Sequence, residues 1–217
     1  MIQLYSLPVS SYSAKVRIVL RAKHADFDDV LPLGGHSGPD YAHLVPAATV
    51  PAIDHDGFVL WESEAINEYL DEVFPEPAML PADPKARGFA RAFSRFHDTR
   101  LEPALRALFS QIAPSGRDSA AVEKGAALIT LRLRQLSAIL ARAPFAAGER
   151  LLLSDCGFAV AFVVLETLSE SIGFAAPMPQ DVAAYRDRIW RHGPVADELS
   201  DYRGAIGDWI GARLSGS

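Results

Sequence analysis

Three short segments in the first third of the chain carry side chains that could hold and activate a small anionic group. The first is residues 8–13 (PVSSYS), where hydroxyl groups lie at the junction between an apolar strand and a helix. The unpaired backbone N–H groups and the dipole of a helix N-terminus favour an anion. A thiolate held there would be stabilised by Ser10 or Ser11, and an ordinary N-cap role for one serine is the alternative interpretation.

The second segment is residues 49–52 (TVPA), in which a Val-Pro dipeptide enters a strand. This pattern suggests a cis bond before Pro51, because proline lacks the N–H that a strand ladder needs and the chain must turn sharply. Such a turn would expose the Val50 backbone, which could then pair with an extended peptide ligand. An ordinary edge-strand proline is the alternative interpretation.

The third segment is residues 61–66 (WESEAI), where a strand ends and a helix begins. Ser63 suits the N-cap of that helix. The Glu62 carboxylate can meet a ligand ammonium group while the helix N-terminus meets a ligand carboxylate. A ligand with an amino-acid head group would satisfy both, whereas a capped surface helix needs no ligand at all.

The elements that must position these segments follow from the hydrophobic pattern. Residues 1–80 alternate strand and helix periods, which predicts a small mixed sheet with helices packed on it. The turn signal Asp56-Gly57 separates two of the strands. We expect strands at residues 1–7, 27–33, 50–53 and 58–61, helices at 13–23 and 63–73, and a loop at 33–39.

The rest of the chain shows only helical periods, and the change coincides with a change in charge. Residues 1–80 have a net charge of −8 and residues 81–217 one of +2, and the segment 74–84 contains four prolines. Proline-rich sequence of this kind is typical of a linker. We therefore expect a first domain at 1–80, a linker at 81–87 and an all-helical domain at 88–217. Its expected helices cover residues 85–112 with a kink at Pro103, 119–141, 155–168 and 182–191, with short helices after Val195.

Composition excludes several classes of protein. The 217 residues carry a net charge of −6, so the basic surface of a duplex-binding protein is missing and no nucleic-acid partner is expected. Cys156 is the only cysteine, and the six histidines lack metal-ligand spacing, so we expect neither a disulfide framework nor a metal. No secretory pattern and no membrane-spanning apolar stretch is visible, and a cytoplasmic location without a membrane partner is expected.

Taken together, the three segments resemble the glutathione S-transferase family. The resemblance is carried by residues 10–17 (SSYSAKVR), 45–53 (VPAATVPAI) and 62–66 (ESEAI), and it extends over essentially the whole chain. It implies a thioredoxin-like N-terminal domain that binds glutathione as co-substrate. It also implies an all-helical C-terminal domain that binds an electrophilic small molecule, and a homodimer.

The resemblance also assigns roles to individual residues. Ser10 matches the hydroxyl that steadies the thiolate in serine-type classes such as zeta and tau, with Ser11 and Tyr12 as alternative thiol partners. The family pattern gives the other glutathione contacts as follows: Val50 before a cis Pro51 for the cysteinyl part, Glu62 and Ser63 for the γ-glutamyl group, and His36 and Thr49 for the glycyl end.

The expected activity is conjugation of the glutathione thiolate to an electrophile. The alternatives are a glutathione-dependent isomerase of the maleylacetoacetate type, a dehalogenase or ether-cleaving enzyme, and a non-catalytic glutathione-binding or scaffold protein. Residues 151–155 (LLLSD) resemble the family's capping segment before its central helix. Asp155 matches the acidic residue of that segment, but Leu152 replaces the usual hydroxyl, for which Ser154 is a potential substitute.

Overall fold

The structure is a computed structural model, and it describes residues 1–142 and 150–216. The chain divides into two compact units, Met1–Leu80 and Pro81–Ser217. Each unit is built around its own core.

The first unit is a four-stranded mixed sheet with helices packed on it. Its strand order is β2-β1-β3-β4, in which β1 pairs with β2 in parallel and with β3 antiparallel, and β3 pairs with β4 antiparallel. This is the thioredoxin-like arrangement that the family resemblance implies. The elements are β1 (Ile2–Tyr5), α1 (Ser11–Ala22), β2 (Phe27–Val30), α2 (Pro39–Leu44), β3 (Ala52–His55), β4 (Phe58–Trp61) and α3 (Ser63–Val73).

Apolar stripes on α1 and α3 explain why these helices form and pack together. Val16, Val19 and Leu20 on α1 are buried, as are Ile66 and Leu70 on α3. Burying apolar surface in this way supplies most of the free energy that holds such helices in place. The first unit therefore keeps the beginnings of both helices in fixed positions.

The first unit differs from the expectation in two places. Helix α2 lies in a part of the sequence that shows no helical period, because its six residues are too few to display one. The third strand begins at Ala52 rather than Val50, so Val50 and Pro51 lie in the segment that leads into it.

The second unit is helical throughout its described residues and is organised around one buried helix. Every residue of α7 from Leu153 to Leu165 is buried, which confirms the central position expected for the apolar stretch Gly157–Leu165. Its elements are α4 (Pro84–Phe96), a π-helical turn (His97–Leu101), α5 (Glu102–Arg106), α6 (Ser119–Leu140), α7 (Leu153–Ile172), α8 (Gln180–Ile189) and α9 (Gly193–Ser215), with 3-10 turns at Phe109–Gln111 and Pro114–Gly116.

Three expectations for the second unit need correction. The last part of the chain is one long helix, α9, rather than several short ones. The long helix expected over residues 85–112 is interrupted by the π-helical turn that begins at His97, ahead of Pro103. Residues 84–87 of the expected linker belong to α4, because Pro84 takes the first helical position, where its missing N–H is harmless.

Only one half of the reciprocal N-terminal cap is present at the start of α7, namely the contact made by the Asp155 carboxylate. The backbone N–H of Leu152 donates to Asp155 Oδ2 at 2.9 Å, and the Tyr185 hydroxyl donates to Asp155 Oδ1 at 2.7 Å. Ser154 does not replace the missing hydroxyl of the cap, because its buried Oγ has no hydrogen-bond partner among the described residues. Burial raises the pKa of Asp155 to about 6.

Candidate functional site

The strand register brings the three predicted segments to one end of the sheet. Tyr5, the last residue of β1, pairs with Ala52, the first residue of β3, and Ala52 pairs with Trp61, the last residue of β4. Neighbouring strands lie about 4.8 Å apart. The turn after Tyr5, the segment before Ala52 and the residues after Trp61 therefore emerge side by side. Val30, the last residue of β2, pairs with Tyr5 in the same row, so the loop that contains His36 also starts there.

Ser10 lies at the N-cap of α1. Its Oγ accepts the backbone N–H of Ser13 at 3.2 Å, and its carbonyl accepts that of Ala14 at 2.9 Å. A serine hydroxyl that accepts in this way still has its own proton to donate. Both interpretations of this turn are therefore compatible, because Ser10 can cap the helix and donate to a bound thiolate. Ser11 is buried and Tyr12 is half-buried in the first turn of α1.

Arg17 ties the turn before α1 to the sheet. Its guanidinium donates to Ser6 Oγ at 2.9 Å and to the Pro8 carbonyl at 3.4 Å, and it lies 3.4 Å from the Asp29 carboxylate. The Arg17 side chain is almost completely buried. Hydrogen bonds that involve a charged group are stronger than neutral ones, so this contact holds the strand-to-helix turn in place. This role of Arg17 was not expected from the sequence.

The Val50–Pro51 peptide bond is cis, as expected from the sequence. The preceding residue is held by a tyrosine on α2, because the Tyr41 hydroxyl donates to the carbonyl of Thr49 at 2.8 Å. Burial, and then the neighbouring Tyr5, raise the pKa of Tyr41 to about 12, so this donor keeps its proton. Val50 packs against a small apolar cluster that includes Tyr41, Val45 and Ala52.

Glu62 and Ser63 lie at the N-terminus of α3 but in different positions from those expected. Glu62 occupies the N-cap, since its carbonyl accepts the N–H of Ile66 at 2.9 Å, and Ser63 is the first helical residue. The N-cap expectation for Ser63 was therefore wrong. Glu62 has a φ of 71°, a backbone conformation that residues other than glycine rarely adopt and that is concentrated at binding sites. Its side chain is exposed, whereas Ser63 is buried.

A charged pair that the sequence analysis missed lies beside these residues. The Lys15 ammonium of α1 donates to the carboxylate of Glu64, the residue after Ser63. The Lys15 side chain is fully buried. The residue types around Lys15 gave no sign of this contact, because the partner is 49 positions away in the chain.

The remaining predicted residues are less constrained. His36 is exposed in a loop at the same end of the sheet, and Thr49 is also exposed.

In the second unit, Arg87 donates to the carbonyls of Pro81 and Ala82 at 2.9 Å, so it holds the segment before α4. A groove of about 570 Å³ lies between α6 and residues 173–175, and it contains none of the predicted site residues.

This arrangement suits an extended ligand with negative groups at two points. The N-termini of α1 and α3 both lie at this end of the sheet, where the positive end of each helix dipole favours an anion, and the Val50 backbone lies between them in the row of strands. The described residues include no cluster of side chains that could hold a metal ion. None of the described helices combines the length and apolar character needed to cross a membrane.

Comparison with known families gives this geometry a context. The family model described as glutathione S-transferase, N-terminal domain, matches residues 4–78. A solved delta-class glutathione transferase from Nilaparvata lugens superposes with a TM-score of 0.84 at 24% identity, over 99% of this chain and 100% of that one. At this identity the superposition establishes the fold.

Curated relatives carry several names. Glutathione S-transferase 3 of Zea mays is 30% identical over 168 residues, which are 73% of this chain and 76% of that protein. A stringent starvation protein A homolog of Coxiella burnetii is 44% identical over 88 residues, covering 41% of this chain and 42% of that one. A probable maleylacetoacetate isomerase of Caenorhabditis elegans is 40% identical over 102 residues, covering 46% and 48%. The last two matches thus span less than half of each relative.

Proposed function

Because this chain belongs to the glutathione S-transferase family, we propose that it joins the thiol of glutathione to an electrophilic small molecule. The thiol loses its proton to solvent, and the thiolate sulfur attacks an electrophilic carbon. A carbon–sulfur bond forms, and a leaving group departs with its electron pair, or the product takes up a proton where the sulfur adds to a double bond. The protein lowers the pKa of the thiol and orients it toward the second substrate.

We assign the glutathione contacts in the first unit by matching charge and hydrogen bonding. The exposed Glu62 carboxylate pairs with the γ-glutamyl ammonium, while Ser63 and the N-terminus of α3 receive the γ-glutamyl carboxylate. The Val50 backbone pairs with the cysteinyl part, before cis Pro51. The thiolate is stabilised by Ser10, with Ser11 and Tyr12 as alternative partners. His36 and Thr49 are the proposed contacts for the glycyl end.

The main support for the proposal is the strand register, in which Tyr5, Ala52 and Trp61 pair in one row across β1, β3 and β4. This register brings two helix N-termini to either side of the backbone segment that contains Val50 and Pro51. Glutathione has a carboxylate and an ammonium at one end and a thiol in its middle residue.

The first experiment tests the γ-glutamyl contact. Glu62→Ala removes the partner of the ligand ammonium and should weaken glutathione binding, measured by calorimetry, by roughly tenfold or more. Glutaryl-Cys-Gly has no ammonium, so its affinity should be the same for the Glu62→Ala variant and the unaltered protein. Glu72→Ala removes an exposed carboxylate from the other end of α3 and serves as the control. Equal losses for both ligands would contradict the contact.

A second candidate function is a glutathione-dependent isomerase. It is favoured by the Ser10-Ser11 turn and by the relative named a probable maleylacetoacetate isomerase, 40% identical over 102 residues. In that reaction the sulfur adds to a carbon–carbon double bond, rotation follows, and the sulfur leaves with glutathione unchanged. The number of glutathione molecules consumed per molecule of product distinguishes the transferase from the isomerase. A transferase consumes one glutathione per turnover, an isomerase consumes none, and a binding protein converts neither a chromogenic electrophile nor a maleyl substrate.

We also propose that residues 81–217 carry the site for the electrophile, and that the chain forms a homodimer. Support for both comes from family membership. The identity of the electrophile depends on side chains dispersed over several helices, so a panel of substrates is the appropriate assay.

A further inference from the structure

Helices α1 and α3 are joined by two buried ion pairs of very similar construction. Lys15 contacts Glu64, and Lys23 contacts Asp71. Both lysine side chains are fully buried, and the two carboxylates are 14% and 11% exposed. The Lys15–Glu64 pair lies where both helices begin, next to the proposed glutathione site, and the Lys23–Asp71 pair lies toward their C-terminal ends.

The N-terminus of α3 presents an electrostatic problem for the proposed ligand. Glu62 and Glu64 flank Ser63, where the γ-glutamyl carboxylate is expected to bind. Glu62 is needed for the ligand ammonium, but a second free carboxylate at Glu64 would repel the ligand carboxylate. It would also compete with that carboxylate for the N–H groups of the helix end.

We propose that Lys15 is a positioning residue that makes the N-terminus of α3 available to the γ-glutamyl carboxylate. Its buried ammonium neutralises Glu64 and holds the Glu64 side chain in the interface between α1 and α3. The helix end then offers its N–H groups and Ser63 to the ligand. This inference deepens the proposed function and rests on glutathione binding in the first unit.

The Lys23–Asp71 ion pair, in the same interface, has contacts that indicate a purely structural role. Lys23 also donates to the carbonyl of Pro77 at 2.8 Å, and Asp71 accepts the backbone N–H of Met79 at 2.8 Å. This pair therefore fixes the segment that follows α3. The desolvation of buried ion pairs largely offsets their attraction, so stability alone is a weak reason for a second pair. Lys15–Glu64 differs in placing its carboxylate beside the ligand site.

The test compares Lys15→Met with Lys23→Met, the matched loss of the other buried ammonium. Calorimetry with glutathione should show an affinity loss of roughly tenfold in Lys15→Met, the size expected from one uncompensated like charge near the ligand carboxylate. Lys23→Met should leave the affinity unchanged, although it lowers the melting temperature. In turnover assays Lys15→Met should raise KM for glutathione while kcat at saturating glutathione stays the same.

Two further measurements separate charge compensation from loss of packing. The double variant Lys15→Met with Glu64→Gln should recover most of the affinity, and Glu64→Gln alone should bind glutathione at least as tightly as the unaltered protein. 4-Aminobutyryl-Cys-Gly keeps the amine but lacks the γ-glutamyl α-carboxylate. Its affinity should not change in Lys15→Met.

The outcomes distinguish this inference from the proposed function. If the unaltered protein fails to bind glutathione, the proposed function fails and the role of Lys15 falls with it. If the unaltered protein binds glutathione, equal losses in Lys15→Met and Lys23→Met, or no recovery in the double variant, overturn the role of Lys15 alone. Should Lys15→Met not fold, a loss of affinity in Glu64→Gln overturns it instead.

Discussion

At the scale of single residues, Ser10 combines a structural and a chemical role in one hydroxyl. The Oγ accepts the N–H of Ser13 and keeps its own proton for a ligand, so neither role displaces the other. The backbone N–H groups of the first turn of α1 remain close to the same point. A thiolate there would be stabilised by a hydroxyl donor and by the helix dipole together.

This double role makes a graded prediction for substitutions in the turn. Ser10→Ala should raise the pKa of the bound glutathione thiol and slow conjugation at neutral pH without abolishing it, because the helix N-terminus still favours the thiolate. It should also lower the free energy of unfolding by about 1 kcal/mol through loss of the cap. Ser11→Ala should have a smaller effect, and Tyr12→Phe a smaller one still. Thiolate absorbance of bound glutathione, followed against pH, measures the ranking.

Glutathione affinity is the control for this series. It should change little in all three variants, since the proposed anchoring contacts are at Val50, Glu62 and Ser63. A thiol titration that moves most in Tyr12→Phe and stays in place in Ser10→Ala would show that tyrosine, not serine, is the thiol partner.

At the scale of elements, the segment before cis Pro51 depends on α2. Tyr41 is buried, and its hydroxyl donates to the carbonyl of Thr49, while its ring lies 5.7 Å from that of Tyr5. The hydrogen bond and the apolar cluster around Tyr41 hold the backbone that is proposed to pair with the ligand. A short helix with no predicted site residue thus orders the middle of the candidate site.

Removing that hydrogen bond should weaken glutathione binding without touching any ligand contact. Tyr41→Phe keeps the ring and leaves the Thr49 carbonyl without its donor, so we expect a loss of about 1 kcal/mol in unfolding free energy and a rise in KM for glutathione of roughly two- to fivefold. Tyr5→Phe is the matched control, because the Tyr5 hydroxyl donates to Gln3 on the exposed surface, at 3.2 Å. An equal rise in KM for both variants would argue against the role of Tyr41.

The parts of the candidate site that could be predicted from the sequence are those formed by consecutive residues. The turn at Ser10, the cis bond before Pro51 and the helix start at Ser63 each depend on local chemistry, so residue type and order indicated them. Contacts across the fold were not predictable in this way. Tyr41 lies on a helix too short to show a period, and the Lys15–Glu64 pair requires knowing that α1 packs against α3. The positive φ of Glu62 also left no sign in the residue types.

The same distinction applies to the helices of the second unit. The apolar stretch of α7 indicated a central helix because it is hydrophobic on all sides. Short helices were expected after Val195, whereas Gly204, Gly207 and Gly211 lie inside one continuous helix, α9, although glycine lowers helix propensity. Tertiary packing of Leu199, Tyr202, Ile206 and Ile210, all buried, overrides that local weakness.

At the scale of the whole molecule, the uneven distribution of charge along the chain favours the proposed homodimer. The first 80 residues carry a net charge of −8 and the remainder +2, so attraction between the acidic part of one copy and the more basic part of another would favour association. Sedimentation velocity at micromolar concentration should show a dimer whose dissociation increases with added salt. A monomer in moderate salt at that concentration would contradict the proposal.

The stability of the second unit should depend on pH through Asp155. This carboxyl is fully buried at the start of the central helix, and burial raises its pKa to about 6 from an ordinary 3.8. Between these two values the folded state holds more protons than the unfolded state. The free energy of unfolding contributed by this group therefore falls as pH rises from about 4 to about 6 and is constant outside that window.

The Asp155→Asn variant isolates this contribution. Asparagine cannot ionise, so the stability of the unaltered protein relative to the variant should decrease by up to roughly 3 kcal/mol between pH 4 and pH 6.5, measured by urea unfolding at fixed ionic strength. Carboxyl groups elsewhere are shared by both proteins and cancel in the difference. The Tyr185 hydroxyl lowers the pKa of Asp155 by donating to it, so the window in Tyr185→Phe should extend to higher pH. A stability difference between the unaltered protein and the Asp155→Asn variant that stays flat across this range would mean that the carboxyl is ionised throughout, held so by the donors from Tyr185 and Leu152.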